Sequence, residues 1–548
     1  MATTTNDITR PIDLTQHAEG TGHRRTRRPV YMDFMPPCNS ACPAGENIQA
    51  WLADAQSGNY FDAFQKILED NPFPAIMGRV CVKPCEKGCN RNHIDKTVNI
   101  HAVERYIGDL AVEKGWQVQG AARPNGKRVL VVGAGPAGLS AAYHLARKGY
   151  QVEIYEAASA PGGLMWFGIP EYRLPRVILK AEIDRILALG VILTLNKKVT
   201  DLEAEKEKGG FDAVFVGIGA HLNKAENFDQ QDPIPVTDAF TFLRQVNEGN
   251  PPAVGKHAVV YGGGKLAMYL SRVVRRLGAN ATVLYPGDRK LMPAYDFEAD
   301  DAISEGVDVQ MLRSIKSVQG KTLTLDINKV EKGKVVPTGS PEIMEADLLV
   351  LATGQEGDTQ FLKTLEGLAV KDDGTINTDA GRMTGRAGIF AGGDVIGGER
   401  STTIAIGHGK KAAKFIDAYI NEQTIGKKEK PLTAGYRRLH MWYKTEAPQA
   451  EQEKLNPHVA IRSFDEVVHG LSEPEAKYEA QRCLSCGNCF ECDGCYGACP
   501  EDAIIKLGPG KRYKFNYNAC TGCAVCYEQC PCHAIEMIPE PVNANGNA

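Results

Sequence analysis

No run in this chain reaches the roughly 20 consecutive apolar residues needed to span a bilayer, and Met1 to Gln16 is polar, without the hydrophobic region of an export leader. The Arg24-Arg25 and Arg27-Arg28 pairs are followed by no apolar segment, so they read as surface charge. Excess charge of one sign is also missing: 63 Lys and Arg stand against 67 Asp and Glu. That balance offers nucleic acid or an anionic lipid surface nothing to bind. A cytoplasmic protein with neither a nucleic-acid nor a membrane partner is expected.

The most telling absence is of cysteine: the chain has 16, and none lies between Cys89 and Cys483. In a chain without a leader, so many thiols argue against a disulfide framework and for metal ligation or thiol chemistry, and their spacing must decide which. The cysteine-free middle excludes a redox-active thiol pair there. At 548 residues the chain is several times the size of a typical domain and is expected to hold more than one core.

What the middle does contain, from about Lys127 to Ile420, is Gly and short Val, Ile and Leu runs ending in Gly-rich turns. This is the pattern of buried parallel strands leading into helices. Arg128 to Glu156 reads as a strand, the turn Gly133-x-Gly135-x-x-Gly138, an Ala-rich helix and a second strand. Such glycines permit a tight turn, close backbone approach to a pyrophosphate and tight helix packing, while the helix N-terminus supplies positive potential. Glu156, ending the second strand, is positioned to accept from a ribose hydroxyl. A second unit of the same kind, His257 to Tyr285 with Gly262, Gly263 and Gly264 at its turn, lies inside the first. Leu351 to Gly354 and Ile389 to Asp394 are strand-to-turn segments suited to closing a flavin site, with the turn at Gly393 placing Asp394 near the ribityl chain.

Near the N-terminus, Ile48, Trp51, Leu52, Tyr60, Phe61, Phe64 and Ile67 are spaced for amphipathic helices. The fold expected is α/β: a helical iron–sulfur N-terminal domain, two nested Rossmann-like dinucleotide-binding domains and a C-terminal bacterial-ferredoxin-like domain. The limits are 1–126 for the helical domain, 127–240 with 345–422 for FAD, 241–344 for NAD(P), 423–482 for a linker with short helices, and 483–540 for the ferredoxin unit.

The ferredoxin reading rests on Cys489-x2-Cys492-x2-Cys495-x3-Cys499-Pro500 and Cys520-x2-Cys523-x2-Cys526-x3-Cys530-Pro531, two full bacterial ferredoxin runs. In such pairs the fourth cysteine of each run ligates the other cluster. One 4Fe-4S cluster is thus assigned to Cys489, Cys492, Cys495 and Cys530, the other to Cys520, Cys523, Cys526 and Cys499. Zinc sites rarely need eight cysteines at this doubled spacing.

The nested dinucleotide units resemble the disulfide-reductase-like flavoproteins, in which hydride passes between nicotinamide and flavin without an acid, base or nucleophile from the protein. No catalytic residue is therefore named. Cys38 and Cys42, the run FPAIMGRVCVKPCEKGCN from Phe73 to Asn90, and GGLMWFGIPEYRLP from Gly162 to Pro175 resemble the glutamate synthase small-subunit family. That family includes the N-terminal half of dihydropyrimidine dehydrogenase and the large subunit of an NADH-dependent ferredoxin:NADP oxidoreductase. The resemblance covers roughly residues 30 to 420. It implies FAD contacts at Pro136, Ala137, Gly163, Leu164, Arg173, Val199 and Thr403 besides the turn residues.

The resemblance also implies two N-terminal 4Fe-4S clusters, one with a non-cysteine ligand. Carried over by position, Cys42, Cys81, Cys85 and Glu104 would hold that one; the alternative for Glu104 is an ordinary salt-bridged carboxylate. The other would use Cys38, Cys89 and a Cys-x2-Cys pair from a phrase EAxRCLxC just upstream. This chain departs there, reading Arg27 to Asp33 without cysteine, yet the phrase occurs at Glu479-Ala-Gln-Arg-Cys483-Leu-Ser-Cys486. Cys483 and Cys486 are expected to fold back and complete the ring, giving four clusters with only Cys532 left over. If they are spare thiols, three clusters remain.

Family members that use NADPH carry paired arginines just after the second strand of the nicotinamide unit. Here the place reads Tyr285-Pro286-Gly287-Asp288-Arg289. Asp288 would repel a 2′-phosphate and could accept from a free ribose hydroxyl. NAD is expected, with NADP left open by Arg289. Lys265 and Tyr269 depart from the GGGNxAMD-like turn of the family. The function expected is electron transfer between NAD(H) and 4Fe-4S clusters through FAD, in the NAD-reducing subunit of a 2-oxoacid or aldehyde oxidoreductase complex, or with a ferredoxin. The alternatives are a glutamate synthase small-subunit-like donor and a non-catalytic wiring subunit.

Overall fold

Val129, Leu130 and Val131 are wholly buried, as a parallel strand covered on both faces requires. The computed structural model describes residues 25–541 except 225, 227, 232, 233, 427 and 428; the expectations for Met1 to Arg24 lie outside these. Arg128–Val132 is the central strand of a five-stranded parallel sheet, in the order Ile389–Ala391, Ala213–Val216, Arg128–Val132, Gln151–Tyr155, Ile192–Thr194. The helices Pro136–Ala146 and Thr402–Ile420 pack together so closely that a Cβ on Gly409 would collide with the Ala137 carbonyl.

A second five-stranded parallel sheet runs Asp308–Met311, Asn280–Tyr285, His257–Tyr261, Leu348–Leu351, Val236–Asp238. Val236–Asp238 at one edge and its neighbour Leu348–Leu351 lie outside the 241–344 limits expected from sequence. Leu348–Leu351, expected to lead into the flavin site, belongs to this sheet because its four buried residues pair with His257–Tyr261. Antiparallel strands Arg313–Gln319, Thr322–Glu331 and Lys334–Glu345 form a separate layer.

The N-terminal helices Ile48–Ser57, Tyr60–Leu68, Pro74–Val80 and Ile100–Glu113 enclose Trp51, Phe64 and Phe73. The last two helices cross at Gly78 and Gly108, where any Cβ would strike the facing backbone. The Glu182 carboxylate, from the flavin unit, accepts from Ala75 N (3.1 Å) and Ile76 N (2.9 Å) and so caps Pro74–Val80.

Three expectations are corrected. Arg27–Tyr31 pairs antiparallel with Ile535–Pro539, making this N-terminal segment a strand of the ferredoxin unit. Arg25, expected on the surface, is buried. It pairs with Glu540 (2.6 Å) and donates to the carbonyls of Tyr517 (2.5 Å) and Cys520 (2.7 Å), which consume its charge. The stretch 423–482 is also no free linker: Ala434, Leu439, Met441, Ala460, Val467 and Leu471 are buried along it. Among the described residues no helix is long and apolar enough to cross a membrane.

Candidate functional site

The flavin turn sits where the central strand of the first sheet meets Pro136–Ala146, whose N-cap is Gly135. A Cβ on Gly133 would stand 2.5 Å from the Gly217 carbonyl oxygen, and one on Gly138 would collide with the Gly133 carbonyl. Gly163 lies at φ +54, with its Cβ position 2.9 Å from Gly135 Cα. Only bare backbone fits here, and the open helix N-terminus provides the cradle a pyrophosphate needs. The Glu156 carboxylate spans the turn, accepting from Ala134 N (2.7 Å) and Ala158 N (2.8 Å). Gly393 abuts Ala137, so Asp394 lies beside the same helix start; burial raises its carboxyl, and Arg400 and Lys265 draw it back down. Val199 is buried against Tyr155 and Leu202 in the core beneath the sheet. These residues fit FAD.

Thr403 joins this site to the first cysteine group: its hydroxyl donates to Cys81 Sγ (3.2 Å). Gly407, one turn on, touches the Pro43 carbonyl beside Cys42. Burial pushes the Cys81 thiol up to about 11, opposed by Thr403, with Glu104 adding to the rise. Cys42 is likewise raised, by burial and then by Glu46, with Glu104 and Cys81 behind. Burial and then the charges of Glu86, Cys81 and Cys42 raise Cys85. Asn71 Nδ2 donates to both Glu104 (2.9 Å) and Glu46 (3.1 Å). Sequence reasoning missed Glu46; three residues after Pro43 it carries no signal beyond its charge.

Cys38, Cys89, Cys483 and Cys486 line one cavity, together with Pro37, Leu52 and Ile100. Burial, and then the mutual charge of Cys483, Cys89 and Cys486, drive the Cys38 thiol well up. The phrase around them explains the fold-back. The Glu479 carboxylate is wholly buried, accepting from Asn99 N (2.7 Å) and Ala450 N (2.8 Å) and pairing with Arg482 (2.5 Å). Arg482 in turn donates to Thr97 O (2.9 Å) and Lys96 O (2.6 Å). Asn90 Nδ2 donates to Cys486 Sγ (3.3 Å).

Cys499, Cys520, Cys523 and Cys526 line a second cavity, with Pro29 of the N-terminal strand in its wall. Cys495 is raised to about 11, by burial first and by Cys530, Cys489 and Cys492 after; the Tyr31 hydroxyl lies 4.0 Å from its sulfur. Among the described residues no three His, Cys, Asp or Glu converge on a single-ion point. Zinc would draw four sulfurs to about 2.3 Å from one centre. Cysteines gathered around a void fit a polynuclear cation that takes them as thiolates.

In the second sheet the turn glycines meet Ala352 O from Gly262 and the Tyr285 ring from Gly263, while Gly264 faces open space. Helix Lys265–Arg276 starts there. Gly354, at φ +140, lies against Lys224 in this unit. Arg289 donates to Ala294 O (3.1 Å) and pairs with Asp296, and Asp288 accepts from Leu291 N (3.1 Å). Tyr269 donates to the buried Glu298 (3.1 Å), and the Arg173 guanidinium stands 5.2 Å from the Tyr269 ring centroid. Lys265 lies over the Tyr295 ring, at 4.8 Å from its centroid. Leu164, opening the short helix Leu164–Phe167, follows Gly163 at the flavin turn.

Nested parallel sheets with bare glycine turns, joined through Thr403 to buried thiols, define an iron–sulfur flavoprotein oxidoreductase. The family model for pyridine nucleotide-disulphide oxidoreductases matches residues 127–409, and that for dihydropyrimidine dehydrogenase domain II, 4Fe-4S cluster, matches residues 23–116. The chain belongs to the pyridine nucleotide-disulphide oxidoreductase family, in its glutamate synthase small-subunit-like branch, and depends on FAD and 4Fe-4S iron. It is 33% identical over 509 residues to an NADP(+)-dependent formate dehydrogenase subunit beta of Moorella thermoacetica, covering 83% of this chain and 71% of that one. An NADPH-Fe(3+) oxidoreductase subunit beta of Geobacter sulfurreducens is 33% identical over 516 residues, 83% of this chain and 75% of its own. The glutamate synthase [NADPH] small chain of Escherichia coli strain K12 is 31% identical over 414 residues, 70% of this chain and 88% of its own.

Proposed function

We propose that this chain is the electron-transfer subunit of a larger oxidoreductase, moving electrons between NAD(H) and four 4Fe-4S clusters by way of FAD. The observation that carries the reading is the cavity shared by Cys38, Cys89, Cys483 and Cys486. It brings cysteines of the N-terminal domain together with Cys486, whose neighbour Gly487 donates to Cys532 O (2.7 Å) in the ferredoxin unit. Bound FAD supplies the exchange between a two-electron hydride and the single electrons that clusters carry.

The chain's own residues bind and align. Gly133, Gly135 and Gly138 with the start of Pro136–Ala146 hold the flavin pyrophosphate, Glu156 its ribose and Asp394 its ribityl chain. Gly262, Gly263 and Gly264 hold the nicotinamide pyrophosphate. Thr403 holds the Cys81 sulfur against the flavin unit. The ligand sets are Cys42, Cys81, Cys85 and Glu104; Cys38, Cys89, Cys483 and Cys486; Cys489, Cys492, Cys495 and Cys530; and Cys499, Cys520, Cys523 and Cys526.

NAD(H) is the nicotinamide, although the three relatives described above are named for NADP(+) or NADPH. Pro286 and Gly287 stand where an NADPH site needs paired cations, and Arg289 is committed to Asp296. A 2-oxoacid or aldehyde oxidoreductase is the partner class, since the chain carries redox centres and no substrate-binding motif of its own. Anaerobically purified chain should contain about sixteen irons, and NADH should bleach the flavin with at least a tenfold advantage in kcat/KM over NADPH. About twelve irons would refute the shared ring, and a preference for NADPH would refute the cofactor assignment.

A further inference from the structure

We infer that Cys532, the cysteine outside the four ligand sets, is a positioning residue. Its thiol donates a hydrogen bond to the Cys530 ligand sulfur and so raises the reduction potential of the cluster that Cys530 holds. The inference rests on the ligand sets proposed above.

Cys532 is buried, and its Sγ lies 3.8 Å from Cys530 Sγ. The same Cys530 sulfur accepts from Ala534 N (3.2 Å), so two donors from one tight turn converge on one ligand atom. The turn leaves Cys532 little freedom. Pro531 precedes it with a fixed φ, and its own carbonyl accepts from Gly487 N (2.7 Å). Gly487 is itself confined: it sits at φ +77, and a Cβ there would stand 2.6 Å from Phe34 Cβ. His533, the next residue, is held by Glu536 (3.0 Å) and lies against the Phe34 ring. The thiol is therefore aimed by its backbone at a single sulfur.

With four ligands already on that cluster, no metal cation displaces the Cys532 proton, and the group stays a donor. One electron entering the cluster adds negative charge that is partly carried by the ligand sulfurs. A donor facing one of them stabilises the reduced form more than the oxidised form, and hydrogen bonds to the sulfurs are a recognised determinant of cluster potential. No proton moves and no bond to sulfur forms or breaks in this step. The position is also strategic: Gly487 follows Cys486, so the peptide of Cys532 joins the shared ring to the first ferredoxin ring through one hydrogen bond.

The test uses the full chain, purified anaerobically, as wild type, Cys532→Ala and Cys532→Ser, with iron content and potentiometric titration followed by electron paramagnetic resonance. Cys532→Ala should keep its iron while one cluster signal moves to lower potential. The shift corresponds to about a three- to tenfold fall in the reduced-to-oxidised ratio at fixed ambient potential. Cys532→Ser, which keeps a donor, should recover most of the loss. Unmoved signals in Cys532→Ala overturn the inference, as does loss of about four irons, which would make Cys532 a ligand. A Cys530→Ala chain that retains all its iron would instead overturn the ligand sets, leaving the two failures distinct.

Discussion

At Gly138 a single methyl group decides whether the flavin turn can exist, because it would occupy the space of the Gly133 carbonyl oxygen. Gly138→Ala should therefore purify with little or no FAD, read as the flavin-to-protein ratio, while the N-terminal helices remain folded. A stoichiometric flavin content would sink the assignment of this turn. The carboxylates around Asn71 are the second decision at this scale. Glu104→Ala should lose about four irons, whereas Glu46→Ala should keep them; the reverse result would exchange their roles. Glu104 was legible because its position relative to the last cysteine matches a family pattern. Glu46 was not, since only the folded chain brings it to Cys42 and Asn71.

Among the elements, the helix Glu473–Gln481 shows where sequence reading ran out. It buries only Ala476, Glu479 and Ala480, and such small or charged residues produce almost no hydrophobic periodicity. The segment read as a linker, although its phrase EAQRCLSC pointed to a cluster ring. Glu479→Ala leaves Arg482 with Asp95 (3.0 Å) as its remaining carboxylate but strips Asn99 N and Ala450 N of their acceptor, a change that costs about 1–3 kcal/mol per unsatisfied group. The expected outcome is a lower unfolding midpoint together with loss of the iron held by Cys483 and Cys486. A loss of stability with all iron retained would show the helix to be only a packing element. The strand Arg27–Tyr31 escaped notice for a related reason: two arginines and a proline give no alternation, and its partner lies some 500 residues away in sequence.

For the whole molecule, the two nested parallel sheets were the legible part, because buried strands such as Val129 to Val132 and Ala213 to Val216 are continuous apolar runs closed by glycine turns. The crossing of the two ends was legible only at the cysteines, where the phrase from Glu479 to Cys486 pointed back to Cys38 and Cys89; the pairing of Arg27–Tyr31 with Ile535–Pro539 carried no such pattern. The shared ring makes a sharp prediction: a Cys483→Ala, Cys486→Ala chain should hold about four irons fewer than the wild type, where spare thiols would leave its iron unchanged.

The crossing also orders the protein's birth. Arg27 pairs with Pro539 and Cys38 shares its cavity with Cys486, yet at ~5–20 residues per second the ribosome needs roughly half a minute to two minutes to span those intervals. Until Cys486 has been made, Cys38 and Cys89 offer only half of the ligand set proposed for the shared ring, so that ring cannot be filled before the ferredoxin unit begins to emerge.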